Sequence, residues 1–190
     1  LSGINVSSRQ APMMVMKPRA TRMRGNPPSE AQDMYTKIMV AVDGSASSKL
    51  ALDEGLKVAK ASGARLVAVY VADKSVLFTY AGRVDPHTLI EEIRRDGVAV
   101  LRDAERTIAR AAVNGDTELI ETESIGEDIA ERLQRYVDEQ AIDLAVVGTH
   151  GRRGIRRLMV GSVAERFLRG SRCPVLLVRG DDAHAAAAAA

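Results

Sequence analysis

Between residues 37 and 178, short apolar runs alternate with longer segments whose apolar side chains recur at helical spacing. The runs cover 37–42, 65–71, 118–123, 142–147 and 174–178. Strand-length runs joined through helices require right-handed βαβ crossovers, and those crossovers build a parallel sheet. The run Ile38-Met39-Val40-Ala41-Val42 is apolar without alternation, so both faces of its strand must be covered. The expected fold class is therefore α/β: a single doubly wound, Rossmann-like domain, with a five-stranded parallel sheet and helices on both faces.

The helices follow from the same pattern. Leu50, Leu52, Leu56, Val58 and Ala59 share a helical face that ends at Ser62-Gly63. A second helix is expected from Leu89 to Ala112, with Ile90, Ile93, Val100, Leu101 and Ile108 on its apolar side and Asn114-Gly115 closing it. Residues 72–87 form a long loop in this reading. Ser124 is the expected cap of a third helix, whose first turn holds Glu127 and Asp128 and whose inner face holds Ile129, Leu133, Tyr136 and Val137. A fourth helix covers 163–168. The third strand is the most polar, which places it near a sheet edge.

With 190 residues, the chain has room for one domain of ordinary size plus tails. Trp is absent and aromatic residues make up 3%, so the core must be built from Val, Leu, Ile and Ala. A net charge of +2 is too small to argue for nucleic acid. The single Cys173 excludes an intrachain disulfide, and its place before a strand suits a small buried apolar residue. No run approaches the ~18 apolar residues of a membrane helix, and residues 1–6 are too short for a secretory core. A soluble cytoplasmic protein without membrane or nucleic-acid partners is the expectation. Residues 1–34 hold four of the six prolines and five of the seven methionines and show no periodicity. They are expected to be a disordered tail, as is 181–190 with its alanine tract, leaving a domain over 35–180.

The segment between the fourth strand and fourth helix carries the chemistry. Gly148 ends a strand, Thr149 and His150 separate it from Gly151, and after nine intervening residues Gly161-Ser162 opens a helix. Strand, glycine-rich loop and helix start together form a phosphate pocket from backbone N–H groups. Gly151 suits a positive φ, Gly161 lets an anion approach the backbone, and Ser162 adds a hydroxyl. Neither a Walker loop nor a dinucleotide fingerprint is present. Arg152, Arg153, Arg156 and Arg157 crowd the loop. One or two of them, Arg152 first, suit polyphosphate contact, and a solvated positive loop is the alternative. Nucleic acid is the weaker reading, since aromatic interleaving is missing.

Four stretches, Val40-Ala41-Val42-Asp43-Gly44-Ser45, Val146-Val147-Gly148-Thr149-His150-Gly151-Arg152, Gly161-Ser162-Val163-Ala164-Glu165 and Cys173-Pro174-Val175-Leu176-Leu177-Val178, occur in this order. In that order the chain resembles the universal stress protein family over about residues 36–179. The Gly-x2-Gly-x9-Gly-Ser spacing is similar to the ATP-binding branch of the family. The resemblance implies a strand order of 3-2-1-4-5 and ATP across the carboxyl edge of the sheet. It implies Asp43 on the ribose hydroxyls, Ala41 and Val42 flanking the nucleoside, and the Val71 backbone at the adenine edge. Gly148, Gly151, Arg152, Gly154, Gly161, Ser162 and Val163 would surround the phosphates, and Thr149, His150 and Arg153 would belong to the same cofactor site. Mg or Mn would be held largely by the nucleotide. The resemblance also implies a homodimer paired through Val175, Leu176, Leu177 and Val178.

Plainer roles stand beside these. Asp43 can cap the first helix, Asp73 can simply end a strand, and His150 suits a turn better than a general base, since no nucleophile is placed around it. The expected function is a dimeric, ATP-binding regulatory or stress-response switch. The alternatives are a slow ATPase or nucleotidyl-transfer enzyme, and an interaction module selective for AMP or a cyclic nucleotide.

Overall fold

A computed structural model describes residues 34–79, 85–124, 126–151 and 160–180. Along these run β1 (Lys37–Ala41), α1 (Ala46–Ser62), β2 (Arg65–Ala72), α2 (Val76–Thr79), α3 (Pro86–Ala111), β3 (Gly115–Glu121), α4 (Ile129–Glu139), β4 (Leu144–Gly148), α5 (Ser162–Gly170) and β5 (Val175–Val178). Of the expected tails, 1–34 and 181–190, all but Met34 lies outside the described residues.

The strands form one sheet of order β3-β2-β1-β4-β5, and every pairing is parallel. In the register, Met39 sits between Val67 and Ala145, and Val40 between Ala68 and Val146. Ile38, Met39 and Val40 are fully buried, as the unbroken apolar run requires. Alternation then divides the core. Ile38, Val40, Leu66, Ala68 and Val146 pack with Leu52 and Leu56 of α1 and Leu101, Ala104 and Ile108 of α3. Met39, Val67, Val69, Ala145 and Val147 pack with Leu133, Tyr136 and Val137 of α4 and Phe167 of α5. The polar third strand is indeed an edge, and β5 is the other. Buried Tyr136 donates from its hydroxyl to Glu118 on β3 at 2.5 Å. Burial and that hydrogen bond both push the phenol well above its ordinary pKa.

Local chemistry moved several helix boundaries. Residues 72–87 are not all loop: α2 lies within them, and α3 begins at Pro86 rather than Leu89. Asp85 caps it by accepting from the Thr88 N–H at 2.9 Å, and proline fits the first turn because it has no N–H to satisfy. α3 ends on Ala112 at φ 53°. Gly115, expected to close that helix, is the first residue of β3, where a Cβ would meet the Leu66 carbonyl oxygen at 2.8 Å. The cap of α4 is Asp128, not Ser124. Asp128 accepts from the Ala130 and Glu131 N–H groups while Glu131 reaches back to the Asp128 N–H, a reciprocal capping box. Glu127 and Asp128 thus precede the first turn, which holds Glu131.

Candidate functional site

Because β1 lies between β2 and β4, the chain leaves β1 in one direction and returns on its other side at β4. Open α/β sheets bind ligands at such a switch, outside the carboxyl ends of the strands. Val42 prolongs β1 by donating its N–H to the Val69 carbonyl at 2.9 Å. The chain then turns through Gly44, whose φ of 85° is the left-handed region that favours glycine. Asp43 anchors this turn: its Oδ1 accepts the Ser45 N–H at 2.9 Å. Ser45, not Asp43, caps α1, accepting the Ser48 N–H at 3.2 Å. With the capping role filled, the Asp43 carboxylate faces the loop after β4, where its Oδ2 lies 3.0 Å from the position a Gly151 Cβ would take.

That loop is pinched at its base. Thr149 donates its N–H to the Val178 carbonyl at 2.8 Å, and its own carbonyl accepts the Gly161 N–H at 2.7 Å. The second bond brings the start of α5 against the end of β4. Gly148 permits a close approach: a Cβ there would lie 2.8 Å from the Ser47 carbonyl carbon and Oγ. Gly151 does not hold a positive φ, contrary to expectation. A Cβ there would press on the Asp43 carboxylate, the movable end of a side chain, which would have to shift by a few tenths of an ångström. The His150 carbonyl accepts from the Ser47 hydroxyl, and the Ser45 hydroxyl lies 3.3 Å from the same oxygen. The His150 ring shares a hydrogen bond with the Thr149 hydroxyl, Nδ1 to Oγ1 at 3.0 Å.

At the far side of the pinch, Gly161 is the N-cap of α5 and supplies no side-chain cap. Gly161 thus brings no side chain of its own to the opening turn of α5 at Ser162 and Val163, where the positive end of the helix dipole suits an anion. A Cβ at Gly161 would stand 3.1 Å from the Thr149 carbonyl oxygen, inside the pinch. Glu165, the acidic residue of this turn, is engaged with Arg169 at 2.8 Å.

Ala41, Val42, Asp43, Gly148, Thr149, His150, Gly151, Gly161, Ser162 and Val163 are thus brought to one end of the sheet by β1, β4 and α5. Val71 stands one residue before the end of β2, half-buried against the α4 and α5 side of the core, as are Ala41 and Val163. Asp73 makes a local turn, accepting the Ser75 N–H at 2.8 Å. The predicted Arg152, Arg153 and Gly154 lie outside the described residues, with Arg156 and Arg157. Sequence reasoning missed the contact of Ser45 and Ser47 with His150. The available signal is the run of small polar residues Asp43-Gly44-Ser45-Ala46-Ser47-Ser48.

A separate groove of about 1230 Å³ runs between α1 and α3, walled by Lys49, Asp53, Lys57, Asp103 and Arg110. It shares Val42 and Gly44 with the turn after β1 but not Gly148, Gly151 or Gly161. Among the described residues, no three His, Cys, Asp or Glu side chains gather into a metal site, and no helix is long and apolar enough to cross a membrane.

The model of the universal stress protein family matches residues 34–179. The universal stress protein YxiE of Bacillus subtilis is 33% identical over 153 residues, covering 77% of this chain and all of that protein. A crystal structure of a universal stress protein family member from Burkholderia pseudomallei is 42% identical, with a TM-score of 0.63 and coverage of 76% of this chain and 96% of that one. A universal stress protein solved in complex with cAMP is 26% identical, with a TM-score of 0.55 and coverage of 77% and 98%.

Proposed function

The chain belongs to the universal stress protein family, and from that premise we propose that it is an ATP-binding regulatory protein rather than a dedicated enzyme. The observation that carries this reading is the Thr149–Gly161 pinch. It sets an uncapped helix start against a glycine loop, with the Asp43 carboxylate facing the same loop. Phosphate oxygens, rich in charge and without donors, suit the α5 start. A carboxylate is an acceptor suited to ribose hydroxyls, which gives Asp43 its role. Ala41 supplies an apolar wall, and the backbones of Val42 and Val71 supply main-chain polar groups, that a purine nucleoside needs. Arg152, Arg153 and Gly154 complete the phosphate side in this proposal. A bound Mg or Mn ion would offset phosphate charge and be held largely by the nucleotide. The protein acts in the cytoplasm as a homodimer paired through β5, and nucleotide binding reshapes the surface that a partner meets.

The related protein solved with cAMP favours a second reading, in which the pocket selects a cyclic nucleotide or monophosphate. Calorimetry with ATP, ADP, AMP and cAMP separates the two. ATP binding tightest supports the first reading; cAMP or AMP binding tightest replaces it with the second. Asp43→Ala should weaken ATP about tenfold or more, the scale of lost hydrogen bonds to a charged group. Rapid, specific ATP turnover abolished by Asp43→Ala would make the protein an enzyme and overturn the regulatory assignment.

A further inference from the structure

We propose that Ser47 is a positioning residue for the loop after β4, and that its hydroxyl sets how strongly the site holds the phosphate part of a nucleotide. The inference rests on the nucleotide reading above. Ser47 lies in the first turn of α1 and is 3% exposed. Its hydroxyl donates to the carbonyl oxygen of His150, 103 residues away along the chain. The Ser45 hydroxyl lies 3.3 Å from that same oxygen. Two glycines also close on this serine. A Cβ on Gly148 would fall 2.8 Å from Ser47 Oγ, and one on Gly180, just past β5, would fall 3.1 Å from Ser47 Cβ. The ends of β4 and β5 and the start of α1 therefore meet at one hydroxyl-bearing side chain, and its hydrogen bond goes to the glycine loop.

The direction of that bond matters. No described peptide bond is cis, and in a trans peptide the C=O and N–H point in opposite directions. Ser47 draws the His150 oxygen toward α1, so the Gly151 N–H of the same peptide unit points away from α1. The oxygen itself, with its partial negative charge, rests at the positive end of the α1 dipole. Without the Ser47 hydroxyl, this peptide unit is held only by the longer bond from the Ser45 hydroxyl, and it can rotate to present a carbonyl oxygen where it had presented a donor. The penalty rises with the negative charge of the ligand. A nucleoside barely registers it, and a triphosphate registers it most.

The test is calorimetry of adenosine and ATP against the wild-type chain and Ser47→Ala, with thermal unfolding of both proteins alongside. Ser47→Ala should lose about five- to tenfold in ATP affinity, the worth of one hydrogen bond, and keep adenosine affinity within about twofold. Ser47→Cys, close in size and a weaker donor, should shift the ATP-to-adenosine ratio in the same direction, and it carries the test if the alanine variant does not fold. Equal losses for both ligands would make Ser47 a general packing residue and overturn the proposal, as would unchanged ATP affinity in both variants. A wild-type chain that binds neither ligand defeats the nucleotide reading itself, a different result from the other two.

Discussion

Three glycines of the site meet different neighbours. Gly148 yields to the Ser47 backbone, which cannot move aside, and Gly151 lies beside the Asp43 carboxylate, which can shift. Gly161 holds an ordinary φ of −61°, so its need for glycine is one of space. A side chain there would press on the Thr149 carbonyl and project from the α5 start, where an anion is proposed to sit. Gly161→Val should therefore abolish measurable ATP binding in calorimetry. It should also lower stability by more than the ~1 kcal/mol of a poorer N-cap, because the new side chain presses on the Thr149 carbonyl. Native ATP affinity in this variant would place the phosphates elsewhere. The residue types of the loop were legible in the chain; the neighbours of Gly148 and Gly151 were not, because each is an atom about a hundred residues away.

At the level of elements, two carboxylates hold the layers in place. Asp128 caps α4 and also pairs with Arg166 of α5 at 2.5 Å. Asp128→Ala should cost about 1–2 kcal/mol in urea unfolding, and Asp128→Asn should recover most of it, since asparagine caps equally well. If Asn proved as poor as Ala, the ion pair to Arg166 would be the larger contribution. Asp143, just before β4, accepts from the Thr36 N–H at 2.7 Å, the Thr36 hydroxyl at 2.6 Å and the Lys37 N–H at 3.0 Å, fixing β1 beside β4. Burial raises the pKa of its carboxyl, but the hydrogen bonds from Thr36 and Lys37 outweigh that, and it ends below its ordinary value. A carboxyl lowered in this way stabilises the fold above about pH 4, and the contribution fades as pH falls through the folded value. Asp143→Asn should thus be less stable than wild type at pH 7, with the gap closing toward pH 3. A gap of constant size would trace the effect to hydrogen-bond geometry instead of charge.

For the whole molecule, the two sheet edges are treated differently. β3 carries Asp116 and Glu118 and is guarded by their charge. β5 offers Val175-Leu176-Leu177-Val178, with Leu176 36% exposed and Leu168 of neighbouring α5 47% exposed. An apolar edge of this kind is a pairing surface, which supports the proposed homodimer. Leu176→Glu should convert a dimer to a monomer in sedimentation velocity; a dimer that survives it is held by another face. The same edge also reaches the site, through the Thr149 N–H bonded to Val178.

The chain by itself determined the α/β class, the strands, their parallel arrangement and the identity of the β4–α5 loop. These depend on the period of apolar side chains and on glycine placement, both local properties. Helix starts are less legible in the chain, because Ser45 competes as a cap with Asp43 and Asp128 with Ser124, and only backbone geometry selects among them. What tertiary structure alone decided was the set of contacts across long stretches of sequence: Asp43 beside Gly151, Ser47 on the His150 carbonyl, Thr149 joined to both Val178 and Gly161. Such contacts depend on which strand ends the topology makes neighbours, and no periodicity along the chain records that.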